Sequence, residues 1–305
     1  LAGLFDPARV RGYISSSQQQ LRHPWTRLFF RLAAHRRLSP LNLMDFWGLY
    51  APFPLPPEKV NPEPGAEGSG LGVVLAGRDM RRSIPMAALV PLVRAVRSRL
   101  NSSGIFLLGS AAEKSLAREF KSMAPDSVLN EIHDYTGRTG LQDLPDLVSS
   151  LEMVLCPDTG LMHLAAHVGT RVTAFFFSSA LCFETGPYGR GHLVYQMLPP
   201  CAPCREAKKC NFELACHKML ADAEILKSVC RKASLRNLEA LLCKSDLDDL
   251  GVNFFPLQGR DPWQDQRKAL RELLRLSAGL APGDAEITPE AAAMFYHESQ
   301  WMLGY

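Results

Sequence analysis

Residues 157–163 read PDTGLMH, between the apolar run LEMVL and the stretch LAAHVG. An acid, a hydroxyl and a glycine at the point where a buried strand gives way to a helix are more than a chain reversal needs. Asp158 or Thr159 can cap the helix that opens near Leu161, and Gly160 lets a ligand approach the backbone closely. The N–H groups at that helix end, with the positive pole of its dipole, favour a phosphate. A carboxylate beside them repels one, so Asp158 reads as a cap for backbone donors or as a partner for sugar hydroxyls. The plainer reading, with Asp158 only a cap and His163 only packed on its helix, stays open at this point.

Three further loops carry residues of the same kind. AGRDMRRSIP brings Arg78, Arg81 and Arg82 to the end of an earlier apolar run, with Pro85 opening the next helix. Guanidinium groups suit bidentate contact with phosphate, and the alternative is a solvated basic loop. LLGSAAEK places Gly109 and Ser110 at a second strand end and Glu113 in the first turn that follows. Glu113 can accept hydrogen bonds from a ribose or simply complement the helix dipole. YTGRTGL puts Thr136, Gly137 and Arg138 at a third strand end, with Thr139 as an N-cap.

The elements that must position these loops follow from the apolar pattern. From residue 71 onward, short runs without polar alternation (LGVVLA, IFLLG, SVLNEI, EMVLC, RVTAFFF) are each followed by a helical pattern. Strands buried on both faces and joined through helices make a parallel sheet, so the fold class is α/β, doubly wound. Ligands in such sheets sit at the carboxyl ends of the strands, which directs attention to 77–84, 109–113, 136–140 and 157–163.

Residues 1–50 read as helices. In RHPWTRLFFRLAAHRR, Arg and His interleave with Trp25, Leu28, Phe29, Phe30 and Leu32. The pattern reads as a helix that buries its aromatics, the functional alternative being contact with an anionic membrane surface. The stretch 51–70 is dense in Pro, Gly and Glu, and two helices are expected at 262–278 and 289–302, the second capped by Thr288. The expected partition is a first domain over 1–60, a linker over 61–70, an α/β domain over 71–245, and a helical extension over 246–305 that packs back on the first domain.

The 305 residues are 47% hydrophobic, enough for a large core, and a net charge of +3 is too mild for a nucleic-acid binder. The longest apolar stretch, at 172–183, is too short to span a bilayer. Eight cysteines with no secretory leader in view point to reduced thiols or a metal site, and to a cytoplasmic location. Cys201, Cys204, Cys210 and Cys216 are spaced C-x2-C-x5-C-x5-C, which allows a structural zinc, packed free thiols or two disulfides.

The stretch TGRTGLQDLPDLVSSLEMVLCPDTGLMHLAAHVGTRVTAFFF, followed by TGPYG at 185–189 and CAPCREAKKCNFELAC, resembles glycosyltransferase family 9, the group typified by the ADP-heptose:lipopolysaccharide heptosyltransferases. The likeness covers residues 10–243 and is strongest over 71–220. It implies a GT-B fold, two Rossmann-like domains with the nucleotide-sugar donor on the C-terminal one, and a chain that holds only part of the acceptor-side domain. On that resemblance Asp158, Thr159, Gly160, Met162 and His163 line the donor site, Arg82 neutralises the donor diphosphate, and Glu113 lies near the nucleoside. Arg78, Gly109 and Thr136 join them by sharing the strand ends.

The reaction implied is an inverting displacement at the anomeric carbon. It needs no cofactor, and zinc at the cysteines is a structural candidate only. The partners implied are a nucleoside-diphosphate sugar and a lipopolysaccharide-like or lipid-linked acceptor, met peripherally at the inner face of the cytoplasmic membrane, with no nucleic acid. The family's general-base Asp is expected upstream of Leu1, so no present residue is assigned as catalytic. The chain reads FFFSSALCFETGPYG where the family has Phe-Gly-Pro-Thr after the strand. Two other readings stand beside this one: a non-catalytic nucleotide-sugar-binding or assembly module, and a GT-B sugar-nucleotide epimerase.

Overall fold

Strands without a polar face must be covered on both sides, and the computed structural model shows how the chain does this. It describes residues 13–15, 20–22, 24–65, 68–100, 104–205, 208–232, 234–236, 238–280 and 283–296. The chain divides into two compact units, Leu1–Pro54 with Pro262–Tyr305, and Leu55–Asp261.

The first unit opens with a short antiparallel pair, β1 (Tyr13–Ser15) and β2 (Gln20–Arg22), where the sequence reads as helix. Helices α1 (Pro24–Ala34) and α2 (Leu43–Gly48) follow. Two aromatics of α1 pack against α2: Trp25 stacks on Phe46 at 4.5 Å and donates its indole N–H to the Phe46 carbonyl at 2.7 Å, and the Phe29 ring lies 5.2 Å from that of Phe46.

The second unit is built on an eight-stranded sheet. In chain order it comprises β3 (Leu71–Val74), α3 (Met86–Arg97), β4 (Ile105–Leu108), α4 (Lys114–Met123), α5 (Asp126–Leu129), β5 (Ile132–Asp134), α6 (Leu144–Ser149), β6 (Met153–Pro157), α7 (Gly160–His167), β7 (Arg171–Phe176), α8 (Cys182–Thr185), β8 (Leu193–Met197), α9 (Ala215–Leu220), α10 (Ala223–Val229), β9 (Ala240–Asp248) and β10 (Gly251–Gly259). The strand order is β10-β9-β8-β7-β6-β3-β4-β5. The chain steps from β3 outward to β5, returns to the other side of β3 at β6, and continues to β8, all in parallel. That order is the doubly wound dinucleotide fold, whose switch point lies between β3 and β6. Leu89 and Val93 of α3 and Ile225 and Val229 of α10 share one core with Val73, Leu107, Phe175 and Tyr195, the last two stacked at 5.0 Å.

In this unit three sequence expectations change. SVLNEI, read as a strand, holds α5 instead, because Pro125 and Asp126 open a helical turn, and the strand begins only at Ile132. Residues 61–70 are not a loose tether: Asn61 donates to the Tyr188 carbonyl at 2.9 Å, Ser69 N–H reaches the Ser150 carbonyl at 2.8 Å, and a Cβ on Gly68 would lie 2.1 Å from the Leu151 carbonyl oxygen. The α/β unit also runs past residue 245, since β9 and β10 form an antiparallel hairpin that joins the sheet through β8. The turn Asp249–Leu250 lacks the Asn-Gly or Asp-Gly signal of a two-residue hairpin, which hides these strands in the sequence.

Only then does the chain turn helical, in α11 (Gln264–Ser277) and α12 (Pro289–Tyr296). Both belong to the first unit. Arg267 and Arg271 of α11 donate to the carbonyls of Arg37 and Pro40, each at 2.7 Å, and Arg37 lies over the Trp263 ring. Among the described residues no helix is long and apolar enough to cross a membrane.

His192 is fully buried just before β8, where its ring Nδ1 accepts from Val172 N–H at 3.3 Å and its backbone N–H donates to Ser245 Oγ at 2.9 Å. Burial lowers its pKa to about 4. The unfolded imidazole takes a proton below about pH 6.5, while the folded one stays neutral, so stability should fall on acidification from there to about pH 4. The loss from this residue is about 3 kcal/mol. Urea unfolding at several pH values should show a steeper acid slope for the native chain than for His192→Gln; equal slopes would contradict the assignment.

Candidate functional site

The loop after β3 is closed by its own polar groups. Gly77 N–H donates to Ser83 Oγ at 2.9 Å, and that hydroxyl donates to the Asp79 carbonyl at 2.8 Å. The Asp79 carboxylate accepts the N–H groups of Arg81 and Arg82, at 2.8 and 3.2 Å, at the head of a 3-10 turn. A Cβ on Gly77 would lie 2.2 Å from the Arg82 carbonyl oxygen, so only glycine lets the loop close this tightly. The result is a fixed backbone from which Arg82 reaches across the switch point.

Its partner is Asp158. Arg82 Nη2 donates to Asp158 Oδ2 in an ion pair, and Thr185 Oγ1 reaches the same oxygen at 3.4 Å. Thr159 caps α7, its Oγ1 accepting Met162 N–H at 3.4 Å. A Cβ on Gly160 would meet nothing, so the first turn of α7 opens directly onto empty space. That space is a cleft of about 520 Å³, within the range of small-molecule sites. Its walls are Gly77, Arg78 and Arg82 from the β3 loop, Gly109, Ser110 and Glu113 from the β4 loop, Asp158 to Leu161 with His163 from β6 and α7, and Thr185.

Eight of the ten residues singled out as donor-site candidates therefore share one cavity. Two do not. Met162 is wholly buried on the inner side of α7. Thr136 is buried after β5, the edge strand on that side, and its N–H and hydroxyl are both spent on Asp134 Oδ1, at 3.0 and 2.6 Å. The neighbouring Gly137 supports the β4 loop instead, donating to the Gly109 carbonyl at 2.9 Å. Arg81 points elsewhere, donating to the Lys208 carbonyl at 2.7 Å while its own carbonyl faces His217 Nε2 at 3.0 Å. Thr185 was missed although it lies in the quoted TGPYG stretch. It reaches the cleft from the segment after β7, the strand beside β6, so the strand-end rule extended by one loop would have found it.

Glu113 completes a capping box with Ser110, its Oε2 accepting Ser110 N–H at 2.6 Å. Both carboxylates of the cleft are thus engaged, Asp158 with Arg82 and Glu113 with the backbone. Burial raises the pKa of Asp158, with Arg82 and then His163 opposing it. The desolvated surroundings lower that of His163 although its side chain is exposed on the cleft wall, with Asp158 opposing. A neutral imidazole, a fixed guanidinium and the N-terminal end of a helix face the same volume, a combination that receives an anion.

Cys201, Cys204, Cys210 and Cys216 lie outside this cleft as free thiols. Among the described residues no three His, Cys, Asp or Glu side chains are placed as metal ligands, although Cys201 lies within electrostatic reach of Cys204 and Cys210, and Cys216 of Cys201 and Cys204.

Residues 93–215 match the model of glycosyltransferase family 9 (heptosyltransferase). Lipooligosaccharide heptosyltransferase 2 of Haemophilus influenzae is 29% identical over 72 residues, 24% of this chain and 21% of that protein. Among solved structures, the ADP-heptose lps heptosyltransferase II of E. coli is 19% identical over 40% of this chain and 37% of its own, with a TM-score of 0.35. The glycosyl transferase family 9 protein of Veillonella parvula is 14% identical over 55% and 48%, with a TM-score of 0.42. The chain spans about a fifth of the length of the curated relative it matches. Residues 93–215, which hold the signature stretch at 136–177, are thus similar to glycosyltransferase family 9, in line with the resemblance read from the sequence.

The two loop glycines separate folding from site. Gly77→Ala should destabilise the chain by about 1–3 kcal/mol, the ordinary range for forced overpacking. Gly160→Ala should leave stability within about 1 kcal/mol of the native chain. Urea midpoints that reverse this order would refute the loop geometry described.

Proposed function

We propose that the cleft binds a nucleoside-diphosphate sugar and that the chain belongs to an inverting glycosyltransferase, moving a heptose or similar sugar onto a lipopolysaccharide-like or lipid-linked acceptor. The observation that carries this reading is the convergence of Arg82 and the open first turn of α7 on one cavity at the switch point of the sheet. The match of residues 93–215 to the model of glycosyltransferase family 9 supports the class of reaction. The ligands in two solved structures of E. coli heptosyltransferase WaaC, ADP and ADP-2-deoxy-2-fluoro heptose, agree with this reading.

In such a displacement an acceptor hydroxyl attacks the anomeric carbon, the bond to the diphosphate breaks, and negative charge grows on the leaving diphosphate. Arg82, held by its loop before the ligand arrives, and the N–H groups of α7 stabilise that charge without rearrangement. Arg82 must then exchange part of its bond to Asp158 for the phosphate. Asp158, released, is placed to accept a hydroxyl of the sugar. His163, neutral, adds a donor or acceptor without opposing charge. Transfer on this plan uses no metal, because the fixed cation is Arg82.

One observation favours the binding-module reading as well: both carboxylates of the cleft are already engaged, with Arg82 and with the backbone, which leaves His163 as its remaining candidate base. Incubating the full-length protein with candidate donors, with and without acceptor, separates the readings. A transferase releases nucleoside diphosphate only with acceptor, an epimerase alters the donor alone, and a binding module does neither.

Calorimetry with ADP and UDP tests the site directly. Arg82→Ala should weaken binding about 10- to 100-fold, the worth of a charge-assisted hydrogen bond, and Gly160→Ala should weaken it by placing a methyl group in the path of the phosphate. Unchanged affinity in Arg82→Ala would sink the assignment.

A further inference from the structure

We propose that the α/β unit carries a second binding site, for a phosphate group, in a separate cavity walled by β8, β9, β10 and the carboxyl ends of α3 and α10. This cavity measures about 510 Å³, and its lining includes Arg99, Arg231, Lys232, Tyr195, Leu257 and Gln258. It is remote from the cleft. Helix α3 starts at Met86, just beyond the Arg82 loop, and its 12 residues separate that loop from Arg99 by about 18 Å of helix.

The hairpin that extends the sheet builds its floor. Register sets Tyr195 of β8 beside Leu242 of β9, and Leu242 beside Gln258 of β10. The register shift between Pro256 and Gln258 inserts Leu257 as an extra residue, so consecutive side chains that would otherwise face opposite ways both line the cavity. Ser228 Oγ donates to Gln258 Oε1 at 2.8 Å, and the Tyr195 hydroxyl lies 3.4 Å from Ser228 Oγ.

The charge on this wall is one-sided. The lining contains two arginines and a lysine and no carboxylate. Arg99 is disfavoured as a cation by burial first and by the like charge of Arg231 next; the other groups acting on it are Tyr195 and Cys230, neither of them a carboxylate. Helix ends account for part of the arrangement, because Arg99 Nη1 donates to the Val229 carbonyl at 2.7 Å and so caps α10. Each helix terminus offers only about half a negative charge, and three cations exceed what two termini balance. Arg231, in the left-handed conformation with φ 57°, and Lys232 are held beside Arg99 just after α10 ends.

Clustered guanidinium forks with hydroxyls nearby match a phosphate, and the apolar wall of Leu242, Leu257 and the Tyr195 ring suits the organic group attached to it. The same chemistry serves a soluble phosphate ester and the headgroup of an anionic lipid.

The test uses the full chain, the variant R231Q/K232Q, whose two residues are exposed, and R82Q, with circular dichroism confirming that each is folded. Inorganic pyrophosphate should slow acetylation of Lys232 at least threefold in the native chain and equally in R82Q, read by peptide mass spectrometry. In calorimetry R231Q/K232Q should weaken one class of pyrophosphate site at least tenfold, a class that R82Q leaves intact. If pyrophosphate has no such effect but phosphatidylglycerol vesicles, unlike phosphatidylcholine vesicles, protect Lys232 and retain the native chain while releasing R231Q/K232Q, the phosphate is that of a lipid headgroup. Absence of protection by both pyrophosphate and phosphatidylglycerol, or protection abolished by R82Q, overturns the proposal.

Discussion

The ion pair between Arg82 and Asp158 spans the crevice where the sheet reverses its winding. The two side chains come from the segments that follow β3 and β6, strands that neighbour one another in space, yet 76 residues separate them in the chain. Each would be costly there alone. Burying an isolated carboxylate is unfavourable, and its pKa is accordingly pushed upward even with the guanidinium beside it. Removing one partner leaves the other charge uncompensated, so the pair fixes the two loops relative to each other while keeping a cation at the cleft.

The rest of the site is arranged around that constraint. Gly77 and Asp79 close the β3 loop so that Arg82 is presented from a rigid backbone, and Thr159 with Gly160 leaves the first turn of α7 unobstructed. The β4 loop completes the wall through a capping box that keeps Glu113 turned toward its own helix. A cleft with a held cation, engaged carboxylates, a neutral imidazole and a helix N-terminus is preorganised for anion binding.

The hairpin β9–β10 gives the unit a second surface. By adding two antiparallel strands beyond β8, it covers what would otherwise be the edge of the parallel sheet and creates the wall on which Tyr195, Leu242 and Gln258 stand abreast. The cations of that cavity come from residues just beyond two helices. Helix termini thus shape both cavities with opposite polarity: an amino end at the cleft and carboxyl ends at the second site.

Much of this was legible in the residues themselves. Uninterrupted apolar runs alternating with amphipathic ones imply a parallel sheet, and the rule that ligands gather at strand carboxyl ends picked out three of the four loops around Gly77–Arg82, Gly109–Glu113 and Asp158–His163. These features depend on neighbours a few residues apart, which periodicity and capping chemistry record. What was not legible depends on pairings distant in sequence. Thr136 drops out because β5 lies at the edge, away from the β3–β6 crevice, and Met162 because α7 turns that face inward. Residues 61–70 dock through hydrogen bonds from Asn61 and Ser69 and the close approach at Gly68, and β9–β10 form behind a turn with no signal of its own. The sequence by itself determined which residue types could receive a phosphate and which strand ends would carry them. Only the tertiary structure decided that Arg82 meets Asp158, because strand order is set by long-range burial and hydrogen bonding that no local pattern encodes.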